Sequence, residues 1–350
     1  MNELERQLAY PLGEALPERG ATIEVAPGIR WVRMALPFAL DHINLWLLRD
    51  EIDGVAGWTI VDCGITNDDT RCAWQRVFDN ELGGMPVLRV VVTHMHPDHL
   101  GLAHWLTEHW GVRLWISATD YNVARVASGI PGAGGLGSAL FMQSHGVSDP
   151  EAIEKIKGRT NYYASMVPKV PAQYRRLMDG NVLHIGGQPW FCHAGYGHAP
   201  EHMSLYNPAL SVLISGDMVL PRISTNVSVF DIEPEANPLP LYLASIARLK
   251  ALPADTLVLP SHGRPFRGLH TRIDQLTTHH EERFADVLAA CAEAPQTAAD
   301  MLPVLFRRKL DLHQTTFAMG ESIAHMHALW MAGKLTRRQD AHGVYRFSAA

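Results

Sequence analysis

The segment Thr93-His94-Met95-His96-Pro97-Asp98-His99 sets four side chains able to ligate a metal into six consecutive positions. It follows the run 87–93 (VLRVVVT), whose β-branched residues suit a buried strand. The cluster therefore sits at a strand end, where α/β folds place their sites. On extended backbone His94 and His96, two residues apart, can point to the same side and grip one ion. Beyond Pro97, Asp98 and His99 can turn the opposite way and grip a second. Imidazole with carboxylate suits zinc, and also iron or manganese.

Upstream, 29–36, 43–48 and 57–61 read as strands, the last running into Asp62-Cys63-Gly64. Residues 67–78 read as a helix with Asp68 and Asp69 in its first turn, and a second helix runs from Leu100 to about His109. Alternating strand, loop and helix implies a layered α/β domain. Between about 118 and 178 the character turns helical (119–127, 138–145, 150–157, 161–166 and 172–178), interrupted by the glycine-rich stretch 129–137. Those glycines lack the Gly-Lys-Ser/Thr of a phosphate loop and read as a hinge. Strands resume at 182–185, 190–193, 203–206, 211–215 and 256–260, with a helix near 239–251. The last part holds candidate helices at 270–294, 297–306 (Thr297 as N-cap) and 316–332, then short strands at 334–338 and 343–347. Three helices followed by a hairpin is the order of a winged-helix module.

Three further segments near strand ends supply ligand types: Gly197-His198-Ala199-Pro200-Glu201-His202, Ser215-Gly216-Asp217 and Pro260-Ser261-His262-Gly263. Each alone is a common turn; their order after the first cluster gives them meaning. HxHxDH, a Gly-His turn, Ser-Gly-Asp and a late His together resemble the metallo-β-lactamase superfamily over roughly residues 20–265.

The resemblance implies an αβ/βα sandwich, with a helical insertion at about 118–178 and a small winged-helix domain at 269–350 following a catalytic domain at 1–268. It implies two divalent metal ions at one sandwich edge. His94, His96 and His198 would hold the first, Asp98, His99 and His262 the second, and Asp217 would bridge them. Asp62 would support the ligands from behind. His202, second in its turn, is expected to be structural. The implied chemistry is hydrolysis by a metal-bridging hydroxide, with Asp98 and Asp217 orienting it. No GxSxG nucleophile elbow competes with that reading.

The substrate expected is a small-molecule ester, thioester or lactone. The insertion, with Phe141, Met142, Tyr162, Tyr163 and Met166, would act either as a lid over the metals or as the arm of a homodimer. The alternatives are an RNA-cleaving phosphodiesterase and a non-hydrolytic metal-binding protein. Residues 270–350 hold nine Lys+Arg and nine Asp+Glu, and only Arg307-Arg308-Lys309 and Lys334 with Arg337-Arg338 are locally basic. That balance argues against nucleic acid as partner. His279, His280, His325 and His327 are expected to be solvated. Scattered Cys63, Cys72, Cys192 and Cys291 suit a reducing cytoplasm, and neither a signal peptide nor a membrane span is expected.

Overall fold

The computed structural model describes residues 3–130, 134–306, 310 and 312–350, so the basic run 307–309 and part of the glycine-rich stretch lie outside the described residues. Strands β1 (Thr22–Ala26), β2 (Ile29–Ala35), β3 (His42–Ile52) and β4 (Val55–Val61) form an antiparallel meander. Helix α1 (Asp68–Asn80) starts at Asn67, whose side chain accepts the Thr70 N–H, and leads to β5 (Val87–Val91). Helices α2 (Pro97–Leu100) and α3 (Ala103–Trp110) precede β6 (Leu114–Ser117). Then α4 (Ala118–Gly129), α5 (Leu136–Ser144), α6 (Pro150–Lys157) and α7 (Tyr162–Met166) lead to β7 (Tyr174–Leu177). These seven strands make one sheet in chain order, parallel from β4 onward.

The second sheet comprises β8 (Val182–Ile185), β9 (Gln188–Gly195), β10 (His202–Asn207), β11 (Val212–Gly216) and β12 (Leu257–Pro260) in the order β12-β11-β10-β9-β8. Helix α8 (Pro238–Arg248) joins its parallel pair β11 and β12. Helices α9 (Leu269–Glu293), α10 (Leu302–Leu305) and α11 (Leu312–Met331) and the hairpin β13 (Leu335–Gln339)–β14 (Tyr345–Ala349) complete the chain.

Period-two alternation builds the layers. On β2 and β3, Trp31, Trp46 and Leu48 point into a core shared with the second sheet, while Val32, Leu45 and Leu47 face the helix side with Trp74 and Leu106. On the second sheet Val212 and Ile214 face inward, whereas Leu213 and Val258 pack under α8, α9 and α11. The result is the expected mixed α/β sandwich, helices outside and two sheets within.

Several expectations need correcting. Residues 174–177 are not helical: Tyr-Arg-Arg-Leu forms the parallel edge strand β7, and Arg175 lies over the Trp115 ring at 4.3 Å. The second C-terminal helix covers only Leu302–Leu305, because Thr297 and Asp300 cap each other in a separate turn. The helix expected from Leu100 breaks at Gly101, where a Cβ would sit 2.5 Å from the Pro97 carbonyl and 2.7 Å from the Thr66 nitrogen. Phe141 and Met142 do not line an open cleft; they are buried in the core that α9 and α11 share. His280, His325 and His327 are fully buried rather than solvated.

Candidate metal centre

Each ligand candidate arrives on a rigid element. Strand β4 runs directly into Asp62, whose φ of +63° is unusual for a residue with a side chain. That turn aims its carboxylate back at the next strand end. Asp62 Oδ1 accepts the Thr93 N–H at 2.8 Å, and Oδ2 accepts from His99 Nδ1 at 2.8 Å. The Thr93 hydroxyl donates to Asp62 and so presents a lone pair to His94 Nδ1 at 3.0 Å. His198 Nδ1 donates to the Asn226 carbonyl at 2.7 Å, and His262 Nδ1 to the His42 carbonyl at 2.7 Å. With Nδ1 committed in these four rings, every Nε2 lone pair is left pointing inward.

The inward atoms converge. His94 Nε2 lies 2.9 Å from His96 Nδ1 and 3.2 Å from His198 Nε2, and His198 Nε2 lies 3.3 Å from Asp217 Oδ2. His262 Nε2 lies 3.4 Å from Asp98 Oδ2 and 3.5 Å from Asp217 Oδ1, and His99 Nε2 is 3.6 Å from the same Asp217 oxygen. Ligand atoms of His94, His96, His198 and Asp217 fall within 4.8 Å of one another, as do those of Asp98, His99 and His262. His99 Nε2 and Asp217 Oδ1 are buried without a hydrogen-bond partner. Buried polar atoms left so are costly, and facing lone pairs repel; a cation between them removes both penalties. The donor set therefore fits divalent metal. Burial, then the neighbouring imidazoles, holds His94 and His96 well below the ordinary histidine range, so both rings are in the neutral, ligating form.

All seven expected ligands are thus brought together, and Asp62 stands behind His99. His202 is also fully buried, but its Nε2 accepts the Asp217 N–H at 3.2 Å and faces the turn instead. Gly216 there has φ +54°, and a Cβ would meet the His202 ring at 2.1 Å, so Ser-Gly-Asp needs its glycine. Tyr163 donates to the Met95 carbonyl at 2.5 Å, while Tyr162 is 38% exposed and stands outside both groups of ligand atoms.

Sequence reading missed three residues. Asp120, on the first turn of α4, accepts the Met95 N–H at 2.8 Å and the Glu201 N–H at 2.7 Å, stapling two ligand-bearing loops together. Asn44 on β3 donates to the Pro260 and Gly263 carbonyls, holding the turn that carries His262. His42 accepts the Gly263 N–H at 2.8 Å. For Asp120 the signal available was Ser-x-x-Asp at the helix start, where Ser117 caps it.

The geometry agrees with what the chain resembles. Residues 40–262 match the model of the metallo-beta-lactamase superfamily, and residues 284–350 match that of the metallo-beta-lactamase-like C-terminal domain. The chain belongs to the metallo-beta-lactamase superfamily. A beta-lactamase domain protein from Burkholderia ambifaria is 55% identical and superposes at a TM-score of 0.95, with all of both chains covered. The superfamily protein TTHA1429 from Thermus thermophilus is 26% identical at a TM-score of 0.75, covering 93% of this chain and all of its own. The probable metallo-hydrolase YqjP of Bacillus subtilis is 23% identical over 324 residues, 90% of this chain and 96% of the relative. As a member of this superfamily the protein is a metal-dependent hydrolase, and its clustered histidines and aspartates are able to hold metal. No helix among the described residues is long and apolar enough to cross a membrane.

Proposed function

We propose that the protein is a dinuclear hydrolase of a small-molecule ester, thioester or lactone. The observation that carries the dinuclear reading is the two-sidedness of Asp217: Oδ2 faces His198, and Oδ1 faces His99 and His262. His94, His96 and His198 would hold one ion, Asp98, His99 and His262 the other, with Asp217 between, and zinc suits these donors. Bound divalent ions supply a water whose pKa falls from about 15.7 toward 7, together with polarisation of the scissile carbonyl.

The chain's own part is orientation. The water oxygen adds to the acyl carbon, the bond to the alcohol or thiol breaks, and the leaving group takes up a proton. Asp98, with 19% of its side chain exposed, is the carboxylate placed to carry that proton. Asp217 is held rigid by its neighbours: its N–H meets His202, and its carbonyl accepts from Thr225.

A small acyl substrate suits the C-terminal region better than RNA does. In the C-terminal hairpin, Arg337 is paired with Glu235 at 2.6 Å and stacked over Trp330, and Arg346 is paired with Asp340 at 2.9 Å. Basic side chains so engaged are poor phosphate readers. The experiment is a hydrolysis screen over thioesters, lactones, phosphodiesters and short RNAs, with metal-stripped protein as control and metal analysis of the protein as purified. Acyl hydrolysis that disappears on stripping and returns with two equivalents of zinc is the expected result. RNA cleavage faster than any acyl hydrolysis, or full activity without metal, would overturn the reading.

A further inference from the structure

The loop after β11 links both ends of the metal centre, and the C-terminal helices hold it from behind. On the metal side, Thr225 donates to the Asp217 carbonyl, and the Asn226 carbonyl fixes His198 Nδ1 at 2.7 Å. On the other side, Arg272 of α9 donates to the Leu220 carbonyl at 2.6 Å and the Ile223 carbonyl at 2.8 Å. Helix α11 grips the rest. The Val229 N–H donates to the Gly320 carbonyl at 3.1 Å, and the Asn226 amide donates to Glu321 Oε2 at 3.4 Å. Ser228 in turn donates to Asn226 Oδ1 at 2.7 Å, so both ends of the Asn226 side chain are engaged.

Two features of α11 are costly unless they serve the loop. Gly320 lies in mid-helix, where alanine would favour the helix by about 1 kcal/mol. Yet a Cβ there would lie 2.7 Å from both Cβ and Oγ of Ser228, so the loop needs the glycine. Glu321 is a buried carboxyl, which is a net cost for the fold unless it is paired. Its amide contact is to the residue whose carbonyl orients His198.

We propose that the C-terminal helix α11 sets the metal geometry: Glu321 holds the Asn226 side chain, the Gly320 carbonyl holds the same loop at Val229, and the Asn226 carbonyl fixes the His198 ring. Glu321 is a positioning residue, and the C-terminal region is part of the metal site's scaffold. The inference rests on the ligand role of His198 proposed above.

The test is zinc titration of the full-length metal-free protein against a competing chelator, with metal-free melting temperatures alongside. Wild type should bind two equivalents. Glu321→Ala and Gly320→Ala should each weaken one equivalent by about 10–100-fold and leave the other in place, as loss of a ligand's supporting partner does. Glu321→Gln keeps an acceptor oxygen for Asn226 and should bind zinc close to wild type. Two equivalents of wild-type affinity in both Glu321→Ala and Gly320→Ala would overturn the proposal. So would loss of both equivalents in step with a lower metal-free melting temperature, which marks a general fold defect. His198→Ala serves as reference: if it too keeps wild-type zinc affinity, the ligand assignment beneath has failed, separately from the role of α11.

Discussion

Asp120 and Met95 stand 25 positions apart in the chain, yet Asp120 Oδ1 accepts the Met95 N–H at 2.8 Å in the middle of the loop that carries His94, His96, Asp98 and His99. Its other oxygen accepts the Glu201 N–H at 2.7 Å. Burial pushes this carboxyl up to about 6, against the pull of the two N–H groups and Ser117, so at neutral pH it is ionised at a cost. Geometry is what that cost maintains.

Asp120→Asn should therefore weaken metal binding. An amide has one accepting oxygen, so one of two buried N–H groups loses its partner, at about 1–3 kcal/mol. Zinc affinity should fall by about 10–100-fold while the secondary structure by circular dichroism is kept. Wild-type zinc affinity in Asp120→Asn would show that the staple carries no weight.

How much of this was legible beforehand follows from where each signal lives. His94 to His99 were legible as candidate ligands because their spacing is local, and strand ends placed the later candidates in order. For Asp120 only the helix start was legible, in Ser117-x-x-Asp120; its part in the site was not, because its partners are backbone groups of two distant loops. Strand β7 was misread because Tyr174, Arg175 and Arg176 are polar or half-polar on a sheet edge, where alternation is weak. The C-terminal histidines were misplaced because their burial depends on α8, α9 and α11 closing on one another, which no window of sequence displays.

His198→Ala and His202→Ala should separate cleanly. His198 turns its Nε2 toward that of His94 at 3.2 Å, among the candidate ligands; His202 offers its own to the Asp217 N–H. Removing His198 should strip metal and activity together. Removing His202 leaves the Asp217 N–H unpaired, costing about 1–3 kcal/mol, and should lower turnover with metal partly retained. Metal content of the two purified variants decides it. Metal lost from His202→Ala but kept by His198→Ala would mean the turn binds in the other register.

Stability should fall on the acid side through the buried histidines of the C-terminal helices. Burial, then His325 and His279, takes His280 down to about 2, well below its unfolded value of 6.5. A depressed histidine binds its proton only when unfolded, so below about pH 6.5 each further unit of acid favours unfolding by about 1.4 kcal/mol. His280→Gln lacks this term. Its stability deficit relative to wild type should narrow by about 2 kcal/mol between pH 7.5 and pH 5, measured by urea denaturation. A constant gap would mean that His280 titrates in the folded protein as it does in the unfolded chain, and a widening gap that its folded value is raised; either would overturn the prediction.

The insertion divides into two working halves. Helix α7 reaches the loop of candidate ligands, where the Tyr163 hydroxyl donates to the Met95 carbonyl while Asp120 accepts the Met95 N–H, so that both hold the residue between His94 and His96. Helix α5 turns the other way. Phe141 and Met142 are buried with the C-terminal core, His145 accepts the Ala299 N–H on its carbonyl, and its ring lies 5.2 Å from that of Tyr345. Tyr163→Phe removes one hydrogen bond worth about 1 kcal/mol, so zinc affinity should drop by less than about tenfold, with stability little changed. Phe141→Ala empties a packed site instead, and should cost about 3–5 kcal/mol of stability while leaving the dependence of kcat/KM on acyl-chain length as in wild type. If Phe141→Ala keeps its stability but loses its preference among acyl chains, α5 faces substrate and the division is wrong. If Tyr163→Phe leaves zinc affinity unaltered, the hydroxyl does not hold the metal loop, and α7 merely rests against it.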